Sequence, residues 1–222
     1  MPHNDDYTVR VRIPGGEWKD LFEYNVQVDM DKVQDASMVQ FDMGSPVEVM
    51  VKKNNGTVRE VAIRPLSKGI EYKQIQNAIL FTLEKPQYLS IEFNGDRLHN
   101  LHLFANPMET EKYEKETKGV MYFGPGTHRP KDLPNNQIRI PSNTTVYLAP
   151  GAVVKAKLVV DKAENVRIIG RGIIDHAVRG IEITDSKNIW IDGITVMNPD
   201  HYTVFGGGST GITIKKSEVL QL

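Results

Sequence analysis

Asn165-Val166-Arg167-Ile168-Ile169-Gly170, Asn188-Ile189-Trp190-Ile191-Asp192-Gly193 and Gly211-Ile212-Thr213-Ile214-Lys215-Lys216 repeat one pattern. The steps from Val166 to Ile189 and from Ile189 to Ile212 are each 23 residues. Ile173-Ile174, Val196-Met197 and Val219-Leu220 follow the same step, and so do Leu158, Ile181 and Val204. One unit therefore holds three short strands divided by Gly, Asn, Asp and Ser turns. Such a unit cannot bury its apolar face alone and must stack on its neighbours, which is how a parallel β-helix reads in sequence. Alternation sends Val166/Ile168, Ile189/Ile191 and Ile212/Ile214 inward, while Arg167, Trp190 and Thr213 point outward.

Upstream the periodicity changes. Tyr7, Val9, Val11 and Ile13 alternate and then break at Pro14-Gly15-Gly16. Further strand-like runs are 24–28, 47–51, 58–63, 79–83, 88–93 and 98–104, punctuated by Asn54-Asn55-Gly56, Lys85-Pro86 and Asn94-Gly95-Asp96. Strands at this spacing predict an antiparallel sandwich over residues 1–108, with Asn55-Gly56 as a short hairpin turn. The charged stretch 109–118 reads as a surface linker or short helix. The β-helix occupies 119–222, with Met121-Tyr122-Phe123 as its first strand. The expected fold is all-β: an N-terminal β-sandwich followed by the first few rungs of a right-handed parallel β-helix.

With 222 residues and 40% apolar side chains, the chain can build two modest cores. The net charge of −1 divides into −4 for residues 1–118 (15 basic, 19 acidic) and +3 for 119–222 (12 basic, 9 acidic). No global field recruits nucleic acid or an anionic membrane. Without cysteine there is no disulfide, thiolate nucleophile or cysteine metal site. No apolar run reaches the roughly 20 residues that span a bilayer, and the first residues are not a signal peptide.

Tyr122-Phe123-Gly124-Pro125-Gly126-Thr127 and Ile140-Pro141-Ser142-Asn143-Thr144-Thr145-Val146-Tyr147-Leu148-Ala149-Pro150-Gly151-Ala152 resemble the start of the β-helix in the pectinase clan of glycoside hydrolases. That clan includes polygalacturonases, dextranases and isopullulanase. Residues 165–175 resemble its next turn, with His176 where a glycine is usual. Ile191-Asp192-Gly193-Ile194-Thr195-Val196-Met197-Asn198-Pro199 and His201-Tyr202-Thr203-Val204 resemble the rung after that. Residues 88–107 look like the end of the sandwich that precedes the helix in the dextranase-like and bacterial branches.

The resemblance implies inverting hydrolysis of an α-linked polysaccharide, such as a polygalacturonan or an α-glucan. A carboxylic acid protonates the leaving oxygen and a carboxylate about 6.5–9.5 Å away activates water. Rungs about 4.8 Å apart make that separation readily. In the clan these groups lie in Asn-Thr-Asp-Gly and Asp-Asp motifs, followed by Gly-His-Gly and Arg-Ile-Lys. None occurs in this chain; they are expected beyond Ile212-Thr213-Ile214. A solenoid end needs a cap, and 215–222 offers no helix or proline-rich segment. The chain thus reads as the front part of a secreted or periplasmic hydrolase, without catalytic residues, cofactor or metal, and inactive alone. Its partner would be a polysaccharide or oligosaccharide. The alternatives are a non-catalytic glycan-binding or adhesive β-helix, or a polysaccharide lyase, which calcium dependence would mark.

Candidate substrate-binding residues are His201 and Tyr202, by hydrogen bond and ring stacking, with Asn198, Asp200 and Trp190. Asp175, Asn198 and Gln221, at steps of 23, read as a polar ladder at a turn. Asp185 and Asp192 sit at turns, where Asp bonds its own backbone. His99 and His102 fall on opposite faces of a strand and make no metal pair. Gly206-Gly207-Gly208 reads as a flexible turn.

Overall fold

The computed structural model describes all residues except 1, 30, 131–135, 216–217 and 221–222, together with the backbone alone of 218–220. Two compact units divide it, Met1–Glu109 and Thr110–Leu222. Among the described residues the regular elements are almost all strands, with a 3-10 turn at Leu66–Lys68. No described helix is long and apolar enough to cross a membrane.

The first unit is a sandwich of two five-stranded sheets. One sheet runs Lys19–Asp20, Tyr7–Arg12, Val47–Lys53, Ala78–Leu83, Lys73–Ile75; the other runs Tyr24–Val28, Gln34–Met43, Leu101–Pro107, Gln87–Phe93, Val61–Arg64. Their inner faces share one core, with Val9, Val49, Ile79 and Phe81 from the first and Val39, Leu89, Ile91 and Leu103 from the second. Two expectations are corrected here. The sandwich is not wholly antiparallel, because Leu101–Pro107 pairs parallel with Gln34–Met43. Asn55-Gly56 does not close a hairpin: the strand before it pairs with Ala78–Leu83, and the strand after it lies in the other sheet with Gln87–Phe93. Hydrogen bonds from Asn54 to the Asp5 and Asp6 carbonyls, and from Asn77 to Gly56, carry the chain across instead.

The second unit is a parallel β-helix with three sheets along its length. The first stacks Val120–Phe123, Thr145–Leu148, Glu164–Gly170, Lys187–Asp192 and Thr210–Lys215. The second stacks Gly126–His128, Ala152–Val154, Ile173–Asp175, Thr195–Met197 and Glu218–Leu220. The third stacks Gln137–Arg139, Lys157–Asp161, Ile181–Thr184 and Val204–Gly207. The predicted register holds in the first and third sheets, where Val166, Ile189 and Ile212 pair in turn and Leu158 pairs with Ile181, Ile181 with Val204. Inward side chains of all three sheets form one continuous core. In the second sheet the register slips: Ile173 faces Thr195, not Val196.

Side-chain ladders hold the turns. Asn143, Asn165 and Asn188 all adopt left-handed backbone, with φ of 57°, 56° and 56°. Asn188 Nδ2 donates to Asn165 Oδ1 at 2.7 Å, and Asn165 Nδ2 donates to Asn143 Oδ1 at 3.0 Å. Asparagine suits this site because its short amide tolerates left-handed φ and bonds its copy one rung away. Gly211, with φ of 68°, takes the place after Asn188. Gly206 and Gly207 lie in a strand, not a flexible turn, and a Cβ on Gly206 would come 2.9 Å from the Ile183 carbonyl carbon.

Residues 110–118 carry no helix. They lie against the outer face of the first sheet, where the Tyr113 ring meets Tyr147 edge-on at 5.5 Å. Glu111 grips Arg167 with both oxygens, at 2.5 and 2.8 Å. This pairing holds the Glu111 carboxyl at about 2, below its ordinary 4.5. A depressed carboxyl stabilises the fold above its unfolded value, and the gain is lost as pH falls through the folded one. Both side chains are well exposed, at 45% and 37%, so solvent screening limits the pair to about 0.5–1 kcal/mol. Glu111→Gln is expected to cost that amount at pH 7 and progressively less as pH falls below 4.5 toward 2, measured by urea unfolding across that range.

Candidate functional site

Two outer surfaces of the β-helix collect side chains suited to ligand contact. The first begins on the third sheet. There Leu158, Val160, Ile181 and Ile183 point into the core, so strand alternation turns Lys157, Glu182 and Phe205 outward. The preceding loop adds His201 and Tyr202. Tyr202 is 63% exposed, and its ring stacks on Phe205 at 5.9 Å and 20°. His201 stacks on Tyr202 in turn, at 6.4 Å and 28°.

Arg179 enters from the rung below, with its guanidinium carbon 4.2 Å from the Phe205 ring centre. Lys157 Nζ binds Glu182 at 2.6 Å, and Arg179 lies 3.5 Å from the same carboxylate. These partners, Lys157 first, hold the Glu182 carboxyl below the usual range. Arg179 Nε is out of solvent and makes no hydrogen bond among the described residues. The surface is therefore a stacked row of exposed rings bordered by charged side chains. A general acid needs a raised pKa, and Glu182 has the opposite.

The second surface lies on the outer face of the first sheet. Trp190 stands there one rung above Arg167 and half-buried. Lys215 Nζ sits 4.5 Å from its ring centre. Asn165, Arg167, Asn188 and Trp190 line an open groove of about 320 Å³.

The predicted residues thus divide. His201 and Tyr202 join one surface, and Trp190 belongs to another sheet. Asp200 is exposed in the same loop as His201, where its N–H donates to the Ala177 carbonyl at 3.3 Å. Asn198 is 5% exposed with φ of 49°, and its amide donates to Asp175 Oδ1 at 3.1 Å. That bond joins two members of the expected ladder, although in register Asp175 faces Met197. Gln221, the third member, lies outside the described residues. Asp185 sits in a turn after the third sheet and Asp192 ends a strand of the first, so these carboxylates are not gathered.

Sequence reasoning missed Phe205, Arg179 and Glu182. The 23-residue step links Glu182 to Phe205, and outward alternation beside Val204 was the available signal. In the sandwich, His99 bonds Asp96, while burial pushes the His102 imidazole down to about 4. No group of three or more His, Asp or Glu among the described residues is arranged to hold a metal.

No protein-family model and no curated protein matches the chain. Among solved structures it is similar to Dex49A from Penicillium minioluteum, with a TM-score of 0.76 and 18% identity. The match covers 98% of this chain and 58% of that one, so the chain spans well under two thirds of the length of the protein it resembles.

Proposed function

We propose that this chain supplies the sandwich and leading rungs of a β-helical, polysaccharide-degrading hydrolase, and that it binds an α-glucan on the outer face of the third sheet. One observation carries the reading: an exposed Tyr202–Phe205 ring row, with the Arg179 guanidinium against Phe205, on a β-helix similar to Dex49A. Pyranose rings present C–H faces that pack on aromatic faces, while their hydroxyls take hydrogen bonds from the edge. In this reading Tyr202 and Phe205 stack the sugar, His201 and Arg179 bind its hydroxyls, and Asp200 flanks the site. Glu182 orders Arg179 and Lys157.

Hydrolysis itself is assigned to a carboxylate pair outside this chain. Lys157 and Arg179 hold the Glu182 carboxyl below its usual range, so it is not poised to donate a proton, and Asp161 is engaged by Thr184 at 2.8 Å and by Arg139 at 3.4 Å. The same engagement favours a second reading, a non-catalytic glycan-binding β-helix. Further 22–23-residue rungs with a carboxylate pair encoded after codon 222 would decide for the hydrolase. Because a polysaccharide is too large to enter a cell, we also place the working protein outside the cytoplasm.

Calorimetric titration with a linear α-1,6-glucan, and with polygalacturonate beside it, tests the assignment. Binding of the glucan is expected, with Tyr202→Ala and Phe205→Ala each weakening it about tenfold, a loss of about 1.4 kcal/mol. Unchanged affinity in both variants overturns the platform. Preference for polygalacturonate overturns the α-glucan. Release of reducing ends by the purified chain at ordinary enzyme rates overturns the assignment of catalysis elsewhere.

A further inference from the structure

We infer that the groove beside Trp190 is a second saccharide site, separate from the Tyr202–Phe205 face and selective for a neutral pyranose unit. The inference rests on the α-glucan reading above. Its residues come from two adjacent rungs of the first sheet, whereas Tyr202 and Phe205 belong to the third. The groove lies at the lower end of the range for small-ligand pockets, which starts near 300 Å³.

Its chemistry selects the ligand. The half-buried indole packs on the Tyr147–Ala149–Ile169 cluster, has Lys215 Nζ 4.5 Å from its ring centre, and borders the groove. Asn165 and Asn188 each spend one amide hydrogen on the ladder and keep a second. Asn188 Oδ1 accepts no hydrogen bond among the described residues. An indole wall with paired amide donors and an acceptor beside it matches the C–H groups and vicinal hydroxyls of a sugar.

Charge then decides between sugar classes. Arg167 is the cation within the groove, but both its terminal nitrogens are committed to Glu111 and Tyr113. A uronate would meet a cation already neutralised by Glu111, with that carboxylate repelling it, whereas a neutral glucose unit meets no such repulsion. The Glu111 clamp also fixes the guanidinium as one wall of the groove, so the site is formed before a ligand arrives.

The chain has two tryptophans, Trp18 and Trp190, so Trp18→Phe leaves Trp190 as the sole indole reporter. In that background, a linear α-1,6-linked glucose hexamer is expected to change Trp190 emission saturably. Asn188→Ala should weaken this signal about fivefold, and Tyr202→Ala should leave its midpoint unchanged. Glucuronate and galacturonate oligomers should give no saturable change. If calorimetry still detects hexamer binding but Trp190 emission does not respond, the second site is overturned and the third-sheet reading stands. If Tyr202→Ala abolishes the emission change, the two surfaces are not separate and the inference fails. If neither method detects the hexamer, the α-glucan reading itself has failed and this site falls with it.

Discussion

Gly170→Ala is expected to unfold the β-helix at denaturant concentrations where the wild type remains folded, a loss of about 4 kcal/mol or more. Gly170 closes its strand with φ of 127°, in a region that side chains with a Cβ avoid. Strain of that kind costs roughly 1–3 kcal/mol by itself. An added Cβ would also stand 2.8 Å from the Leu148 carbonyl carbon and nearer still to its oxygen. That oxygen cannot retreat, because it accepts the N–H groups of Arg171 and Gly172 at 2.9 Å each. Relief of the overlap would break two bonds between rungs. Gly207→Ala is the matched control: an added Cβ there meets nothing within 4 Å, and its φ is not positive. It should fall within about 0.5 kcal/mol of wild type. Urea unfolding followed by circular dichroism compares them, and equal midpoints for the two variants would mean that the rungs are not stacked in this register.

The step of 23 made the β-helix readable because inward positions in the first and third sheets demand apolar side chains at every turn. The second sheet hid its slip. Three residues, Gly170 to Gly172, separate Ile169 from Ile173, but only Gly193 and Ile194 separate Asp192 from Thr195. The following turn restores the count, with five residues before Ile181 and six before Val204. Ile173-Ile174 aligns with Val196-Met197 at a step of 23, whereas the strands pair it with Thr195-Val196, and all three of those residues are buried. In the sandwich, Gln34–Met43 escaped because Ala36, Ser37, Met38 and Val39 are all buried, as suits a strand covered on both faces. Such a strand loses its alternation. Glycine misled at Gly206, where close approach to Ile183 requires it and turn formation does not. The ring row was half legible. Tyr202 and His201 stand out in sequence, but Phe205 and Arg179 meet only after two rungs stack.

Replacing Asp175 with Met should cost about 3–5 kcal/mol, and adding Lys155→Met should return most of it. Asp175 is wholly buried at the end of its strand in the second sheet. Its Oδ1 receives His176 Nδ1 at 2.6 Å and Asn198 Nδ2 at 3.1 Å. Lys155 Nζ lies 2.8 Å from Oδ2, close enough to pair, though outside hydrogen-bond alignment. Removing the carboxylate leaves an ammonium only 20% exposed without its partner, along with two unsatisfied donors. A half-removed buried pair costs far more than the pair contributes, because the surviving charge keeps its desolvation penalty. An apolar side chain at this position is compatible with the fold, since Met197 faces Asp175 one rung on and is fully buried. The double replacement therefore extends the apolar stack downward, and recovery to within about 1.5 kcal/mol of wild type is expected. The two single variants and the double, unfolded in urea, form a cycle with a large coupling energy. If the double variant is no more stable than Asp175→Met, the cost comes from His176 and Asn198, and Asp175 is chiefly the anchor of the two left-handed turns they occupy.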